Sequence, residues 1–226
     1  MELKCLSIIT NFGCHYKCPY CIVKKNGINI PKTTVKSLDT LLETYKSGGY
    51  DYISISGGGD PMFEFDKHMD FYDRLFSICR ENNIKIELHT SYIKEIENKL
   101  PLELFNRIVF HCNTIDDVFE AEQTNCGDIP KRVVFVIEDR MTIDYLLTVR
   151  NVVNSSKTID QLSFRQRVDE NYNISYHLHD ALKVAPMQTV SSFLYNFDKS
   201  RYRLLHRSKC LHTKWPSFYS PTDFRA

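Results

Sequence analysis

Between positions 14 and 21 the chain reads Cys14-His15-Tyr16-Lys17-Cys18-Pro19-Tyr20-Cys21, which puts three cysteines at the spacing C-x3-C-x2-C. Thiols this dense in a short segment point to ligation, because thiolate is the soft donor that holds zinc and iron-sulfur clusters. A closed zinc site takes four ligands, and a cubane cluster has four irons. Three cysteines therefore either need a further protein ligand, for which His15 and Cys5 are the candidates, or leave one iron open to a substrate or cofactor. A second motif, Ser56-Gly57-Gly58-Gly59-Asp60-Pro61, follows about one structural unit later. Glycines there let the main chain approach a ligand closely and turn with positive φ at little steric cost.

The cysteine spacing, the aromatic Tyr20 immediately before the third cysteine, and the glycine run together resemble the radical S-adenosylmethionine (AdoMet, SAM) superfamily. The resemblance implies a 4Fe-4S cluster on Cys14, Cys18 and Cys21, with AdoMet chelating the fourth iron through its amino and carboxylate groups. It implies reductive cleavage of AdoMet to a 5′-deoxyadenosyl radical that abstracts hydrogen from a substrate. It further implies that the backbone around Tyr20 meets the adenine and that Gly57, Gly58 and Gly59 receive the AdoMet amino group. The family's usual acid after the glycines is Glu; here it is Asp60, one methylene shorter. A low-potential electron donor such as flavodoxin or ferredoxin is the partner expected by resemblance.

These motifs need a scaffold, and the rest of the chain supplies the pattern for one. Short β-rich runs alternate with amphipathic helical stretches, the signature of repeated βα units and an α/β fold with a parallel sheet. Strands are predicted near 4–10, 51–56, 84–90, 107–113, 132–137 and 161–165, and helices near 34–47, 65–82, 93–99, 115–123 and 142–155. Six strands match the incomplete (β/α)6 TIM-like barrel that the resemblance implies, followed by a C-terminal extension.

Strand parity adds detail that the motifs do not give. Ser54 and Ser56, Glu87, His89 and Ser91, His111 and Asn113, and Gln161, Ser163 and Arg165 share one parity. Ile53, Ile55, Ile86, Leu88, Ile108, Phe110, Leu162 and Phe164 share the other. With the apolar face under the helices, the barrel interior is polar near its mouth and suits a solvated ligand cavity; an open sheet with one solvated face is the alternative.

In such barrels, sites form at the C-terminal strand ends. Thr90 and Ser91 end the third strand, and His111 and Asn113 end the fourth, placed to hydrogen-bond a ribose or the methionine carboxylate. Arg165 on the sixth can grip that carboxylate bidentately. The run Val133 to Ile137 is apolar throughout and carries no copy of the family's adenine-binding Gly-x-Ile-x-Gly pattern. Cys112 falls on the apolar parity and reads as a core residue.

Composition sets the outer bounds. At 226 residues the chain has the length of one domain, and a formal net charge of +1 gives no global reason to expect nucleic acid or an acidic membrane surface. No stretch approaches the roughly 20 apolar residues of a membrane span, and the N-terminus lacks a long apolar h-region, so a cytoplasmic protein is expected. Cys5, Cys79, Cys112, Cys126 and Cys210 are scattered in apolar or helical contexts, as buried small hydrophobes in a reducing compartment are.

The resemblance covers residues 1–168, the radical SAM core domain. Residues 169–226 form a C-terminal extension that closes the barrel or binds substrate. Within it, 199–215 interleaves cations with aromatics, which suits phosphates and stacked bases, and so a nucleic-acid partner, or equally a basic helix over the barrel's open side. The expectation is a radical SAM enzyme acting on a small-molecule or nucleotide-like substrate. A peptide- or protein-modifying member and a non-catalytic zinc or iron-sulfur protein are the alternatives.

Overall fold

The computed structural model describes residues 4–18, 21–94, 96, 99–138, 140–166 and 194–198. Tyr20, the extension apart from 194–198, Cys210 and the basic stretch 199–215 lie outside the described residues.

All six predicted strands form: β1 (Cys5–Thr10), β2 (Tyr52–Gly57), β3 (Lys85–Thr90), β4 (Phe105–Cys112), β5 (Lys131–Ile137) and β6 (Gln161–Gln166). They pair in parallel and in chain order from β1 to β6. Crossovers between parallel strands are right-handed, so a strand order that never reverses puts every crossover on the same face. The sheet therefore curls like a partial TIM barrel instead of sandwiching between two helical layers. It does not close. A strand from the C-terminal extension, β7 (Leu194–Asp198), pairs antiparallel with β6 and covers that edge.

The connections carry α1 (Ile22–Lys25), α2 (Leu41–Gly48), α3 (Met69–Glu81), α4 (Ile115–Gln123) and α5 (Ile143–Ser155). The last two sit where the sequence puts them because their caps are strong. Thr114 Oγ1 accepts from the Asp117 N–H at 3.2 Å while Asp117 returns a bond to the Thr114 N–H at 2.9 Å, and Thr142 Oγ1 accepts from Tyr145 N–H at 3.2 Å.

Three predicted helices are corrected. The stretch 34–47 splits into a 3₁₀ turn, Val35–Leu38, and α2; Asp39 and Thr40, which favour local side-chain bonds over helix, sit at the break. The stretch 65–82 likewise begins as a 3₁₀ turn, Phe65–His68, before α3 starts at Met69. Among the described residues of 93–99 there is no helix: the segment is too short to offset helix nucleation, and it is held instead by burial of Ile93 and Ile96.

The apolar parity behaves as the sequence requires. Ile53, Ile55, Ile86, Leu88, Ile108, Phe110, Leu162 and Phe164 are all buried and join the helices in one hydrophobic cluster. Cys112 is fully buried on that same face, and Cys5, Cys79 and Cys126 are buried as well.

Lys131, at the start of β5 and on the outer face, is also buried. Its ammonium donates to the Ala121, Glu122 and Thr124 carbonyls at 2.8, 2.9 and 2.8 Å, and so satisfies the end of α4 with a cation. Replacing it by an isosteric apolar chain strands those acceptors. Lys131→Met is expected to lower stability by about 2 kcal/mol in urea unfolding, with an unchanged m-value.

Candidate functional site

The cysteine loop leaves the C-terminal end of β1, and the glycine strip leaves the adjacent end of β2, so parallel pairing alone makes them neighbours. Backbone bonds then fix their distance. Gly58 N–H donates to the Thr10 carbonyl and Asp60 N–H to the Gly13 carbonyl, both at 2.8 Å. Gly13 has a φ of +114°, a conformation side chains avoid, and a Cβ on Gly59 would stand 1.9 Å from the Gly13 carbonyl oxygen. Gly13 is required by that φ, with the Phe63 ring 2.8 Å from where its Cβ would stand, and Gly59 because two backbones meet there.

Further contacts brace the loop. Lys24 Nζ donates to the Tyr16 carbonyl at 2.8 Å, and the Tyr16 hydroxyl donates to the Ser91 carbonyl at 3.1 Å, tying the cysteine loop to the end of β3. Burial pushes the Tyr16 hydroxyl up to about 12, with the Asp117 and Asp60 charges adding to it, so it stays a donor. Burial also raises the Cys14 thiol above its ordinary value, opposed by a backbone bond from Tyr16.

Cys14, Cys18 and Cys21 are all partly exposed at this rim, and no described cysteine is in a disulfide. Among the described residues no three His, Cys, Asp or Glu side chains are already drawn into liganding geometry. The donor set nevertheless fits an iron-sulfur cluster: three sulfur ligands on one short loop, against a strip of main chain that side chains cannot fill. Cys5 lies at the other end of β1, about 16 Å down the strand at 3.3 Å per residue.

Asp60 is buried, and its carboxylate is engaged on both oxygens. Oδ1 accepts from Thr90 Oγ1 at 2.6 Å and from Met62 N–H at 2.9 Å, and Oδ2 accepts from Ser91 N–H at 2.7 Å. The acid after the glycines thus joins the glycine strip to β3. Thr90, through the same hydroxyl, also accepts from Tyr92 N–H at 2.9 Å.

The inner wall carries a second polar assembly. Glu87 on β3 pairs with the Arg107 guanidinium directly across on β4 and accepts from His89 Nε2 at 2.6 Å; His89 Nδ1 lies 3.2 Å from His111 Nε2. Burial alone would raise Glu87, yet the His89 bond and charge together with Arg107 hold its carboxyl near 2. Ionised Glu87 can only accept, so His89 Nε2 carries a proton, and the bond between His89 Nδ1 and His111 Nε2 takes its direction from the tautomers of the two rings. Burial first, and then the charges of His89, Arg165 and Arg132, keep His111 well below the ordinary histidine value.

The family model of the radical SAM superfamily matches residues 8–120, half of the chain, from β1 through most of α4 and across both motifs. The chain belongs to that superfamily. No curated protein matches it.

As a radical SAM protein it divides its predicted site residues into two groups. Gly57, Gly58, Gly59, Asp60, Thr90 and Ser91 gather with the cysteine loop at the β1–β3 rim. His111, Asn113 and Arg165 stand on the β4–β6 side: His111 meets His89, the Asn113 N–H is held by Asp117 Oδ2 at 2.8 Å beside α4, and Arg165 faces inward from β6 opposite Val136. Sequence reading missed Tyr16, Arg107 and Arg132, and Glu87 and His89 were assigned a face without a role. Only the parity of Glu87 and His89 hinted at the assembly, since their partners come from neighbouring strands.

Two outcomes follow. Asp60→Asn turns one acceptor into a donor facing the Ser91 N–H or the Thr90 hydroxyl; a stability loss of about 1–3 kcal/mol and weaker iron retention after reconstitution are expected. Glu87 is held below its ordinary 4.5 in the fold, so its stabilisation is present above about pH 4.5 and fades as pH falls toward 2. Glu87→Gln should destabilise the protein by about 3 kcal/mol at pH 7 and flatten stability between pH 5 and 3 in urea titrations.

Proposed function

We propose that the protein is a radical SAM enzyme that holds a 4Fe-4S cluster on Cys14, Cys18 and Cys21 and acts on a small-molecule or nucleotide-like substrate in its barrel. The observation that carries this reading is the three-cysteine loop pressed, backbone to backbone, against the Gly57–Gly59 strip. When bound, the cluster and AdoMet supply an electron and a carbon-centred radical capable of abstracting hydrogen.

The chain's own part is placement. The Gly57–Gly59 main chain is positioned to meet the AdoMet amino group, and Asp60 acts as a positioning residue that holds this strip to β3 through Thr90 and Ser91. The mouth of the curled sheet gives a ligand a polar wall on one side and the braced cysteine loop on the other. Glu87, His89 and His111 form a continuous hydrogen-bonded line that can hold or pass a proton. A flavodoxin- or ferredoxin-like donor is the electron source this reading requires. Among the described residues no helix is long and apolar enough to cross a membrane.

The test is anaerobic reconstitution with iron and sulfide, reduction by dithionite with AdoMet, and assay of 5′-deoxyadenosine. Product is expected from the native chain and none from Cys18→Ala. A native protein that assembles its cluster yet neither binds nor cleaves AdoMet would refute the proposal.

A further inference from the structure

The polar line on the inner wall climbs toward the mouth of the curled sheet. By register Glu87 and Arg107 face each other in one row, His89 and Val109 in the next, and His111 and Val134 in the row after that. Each member is thus one row closer than the last to the C-terminal strand ends, where barrels of this kind hold their ligands. The bonds run the same way: Glu87 Oε1 accepts from His89 Nε2 at 2.6 Å, and His89 Nδ1 meets His111 Nε2 at 3.2 Å.

The two ends of this line differ. At the inner end Glu87 is buried and held by Arg107 as well as by His89. At the outer end His111 is partly exposed, and among the described residues its Nδ1 has no hydrogen-bond partner. A polar network kept only for stability closes on satisfied groups, because an unpaired polar atom away from water is costly. This one is anchored below and open above.

Counting protons gives the open nitrogen its property. Ionised Glu87 only accepts, so His89 Nε2 carries a proton. With no further proton in the pair, His111 Nε2 donates to His89 Nδ1, and His111 Nδ1 is a bare lone pair. With one more, both His89 nitrogens carry protons, His111 Nε2 accepts, and His111 Nδ1 is an N–H. A proton taken up at the outer nitrogen is therefore felt beside Glu87, deeper in the wall.

We propose that Glu87, His89 and His111 form a proton relay in which His111 is a catalytic residue, its Nδ1 exchanging a proton with a hydroxyl or ammonium group of the substrate, and His89 and Glu87 are the positioning residues behind it. In the forward step the proton leaves the substrate oxygen or nitrogen for His111 Nδ1, the bonding electron pair stays on the substrate atom, and the His111 Nε2 proton crosses to His89 Nδ1. The reverse step returns it. One proton moves and no electron, so neither oxidant nor reductant is required. Burial first, and then the charges of His89, Arg165 and Arg132, keep His111 well below the ordinary histidine value, which leaves this ring ready to accept. The other charged or titratable groups around the line are Arg107, bound to Glu87 and Gln161, Tyr52 and Lys85 one row below Glu87, and Asp198 of β7, which shares the Arg132–Gln161 row by register.

The word substrate, though not the relay itself, rests on the radical SAM reading. On that reading cleavage of AdoMet moves an electron and breaks a carbon–sulfur bond without transferring a proton. A single hydrogen bond would serve AdoMet, and two further groups behind it would have no task. A substrate that loses hydrogen from a carbon next to a hydroxyl or ammonium group does have a proton to give up, because the radical left on that carbon makes its neighbour more acidic.

Diethyl pyrocarbonate, which acylates an accessible imidazole nitrogen through its lone pair, is the probe. The full reconstituted chain is treated anaerobically from about pH 5 to 8, and adducts are assigned to individual histidines by mass spectrometry. His111 is expected to react, and His89, bonded at both nitrogens, to stay unmodified. Reaction at His111 closes off as pH falls and the pair takes up its proton. In Glu87→Gln that closure moves down by roughly one pH unit or more, because the carboxylate no longer draws the added proton. His89→Gln keeps a hydrogen bond to His111 without taking up a proton; it moves the closure in the same direction and stands in if Glu87→Gln does not fold. Saturating AdoMet changes the His111 rate by less than about twofold.

An unreactive His111, a closure that stays in place in both variants, or protection of His111 by AdoMet would each overturn the proposal. The 5′-deoxyadenosine assay reports on the radical reading separately. A coupled His111 titration without AdoMet cleavage leaves the relay standing and removes the radical substrate; cleavage with an unreactive His111 does the reverse.

Discussion

One buried carboxylate organises the rim on which this protein's chemistry depends. Asp60 takes the Thr90 hydroxyl and the Met62 and Ser91 amides on its oxygens while its own N–H reaches the Gly13 carbonyl. Three chain segments from β1, β2 and β3 are thereby tied at a single residue. A carboxylate can do this because it accepts several bonds at once, and charge-assisted bonds in a buried place are worth about twice neutral ones. The glycines on either side are the complement: they remove the side chains that would keep those segments apart.

The second organising constraint is the sheet's two-sidedness. Helices cover only the outer face, since the parallel order never reverses, so the polar groups of the inner face, set among Val109, Val134 and Val136, must satisfy one another. The solution combines an ion pair between adjacent strands, a histidine pair hung from its carboxylate, and arginines toward the mouth. That wall could have been filled with aliphatic side chains, as closed barrels are.

Much of this was legible from residue order. Period-two alternation placed the outer core correctly, because burial of one face leaves a pattern that a one-residue slip would invert. The helices expected at 115–123 and 142–155 form where expected because the caps that Thr114 and Thr142 supply are local interactions. The helix expected at 93–99 does not appear among its described residues, and the helices expected at 34–47 and 65–82 start late. In these places tertiary burial of Leu38, Phe65, Ile93 and Ile96 overrides weak local preference.

By itself the sequence determined the type and spacing of the thiols, the order of βα units and which residues face inward, since thiol type, spacing and strand parity are local properties. Tertiary structure alone decided what those inward residues do to one another. Asp60 reads as a cofactor acid until the end of β3 is seen against it, and Arg107 reads as a strand residue until Glu87 stands opposite. Partners separated by 20 or 30 positions meet only because parallel strands set them side by side, and a side chain's available charge is what remains after such neighbours have bound it.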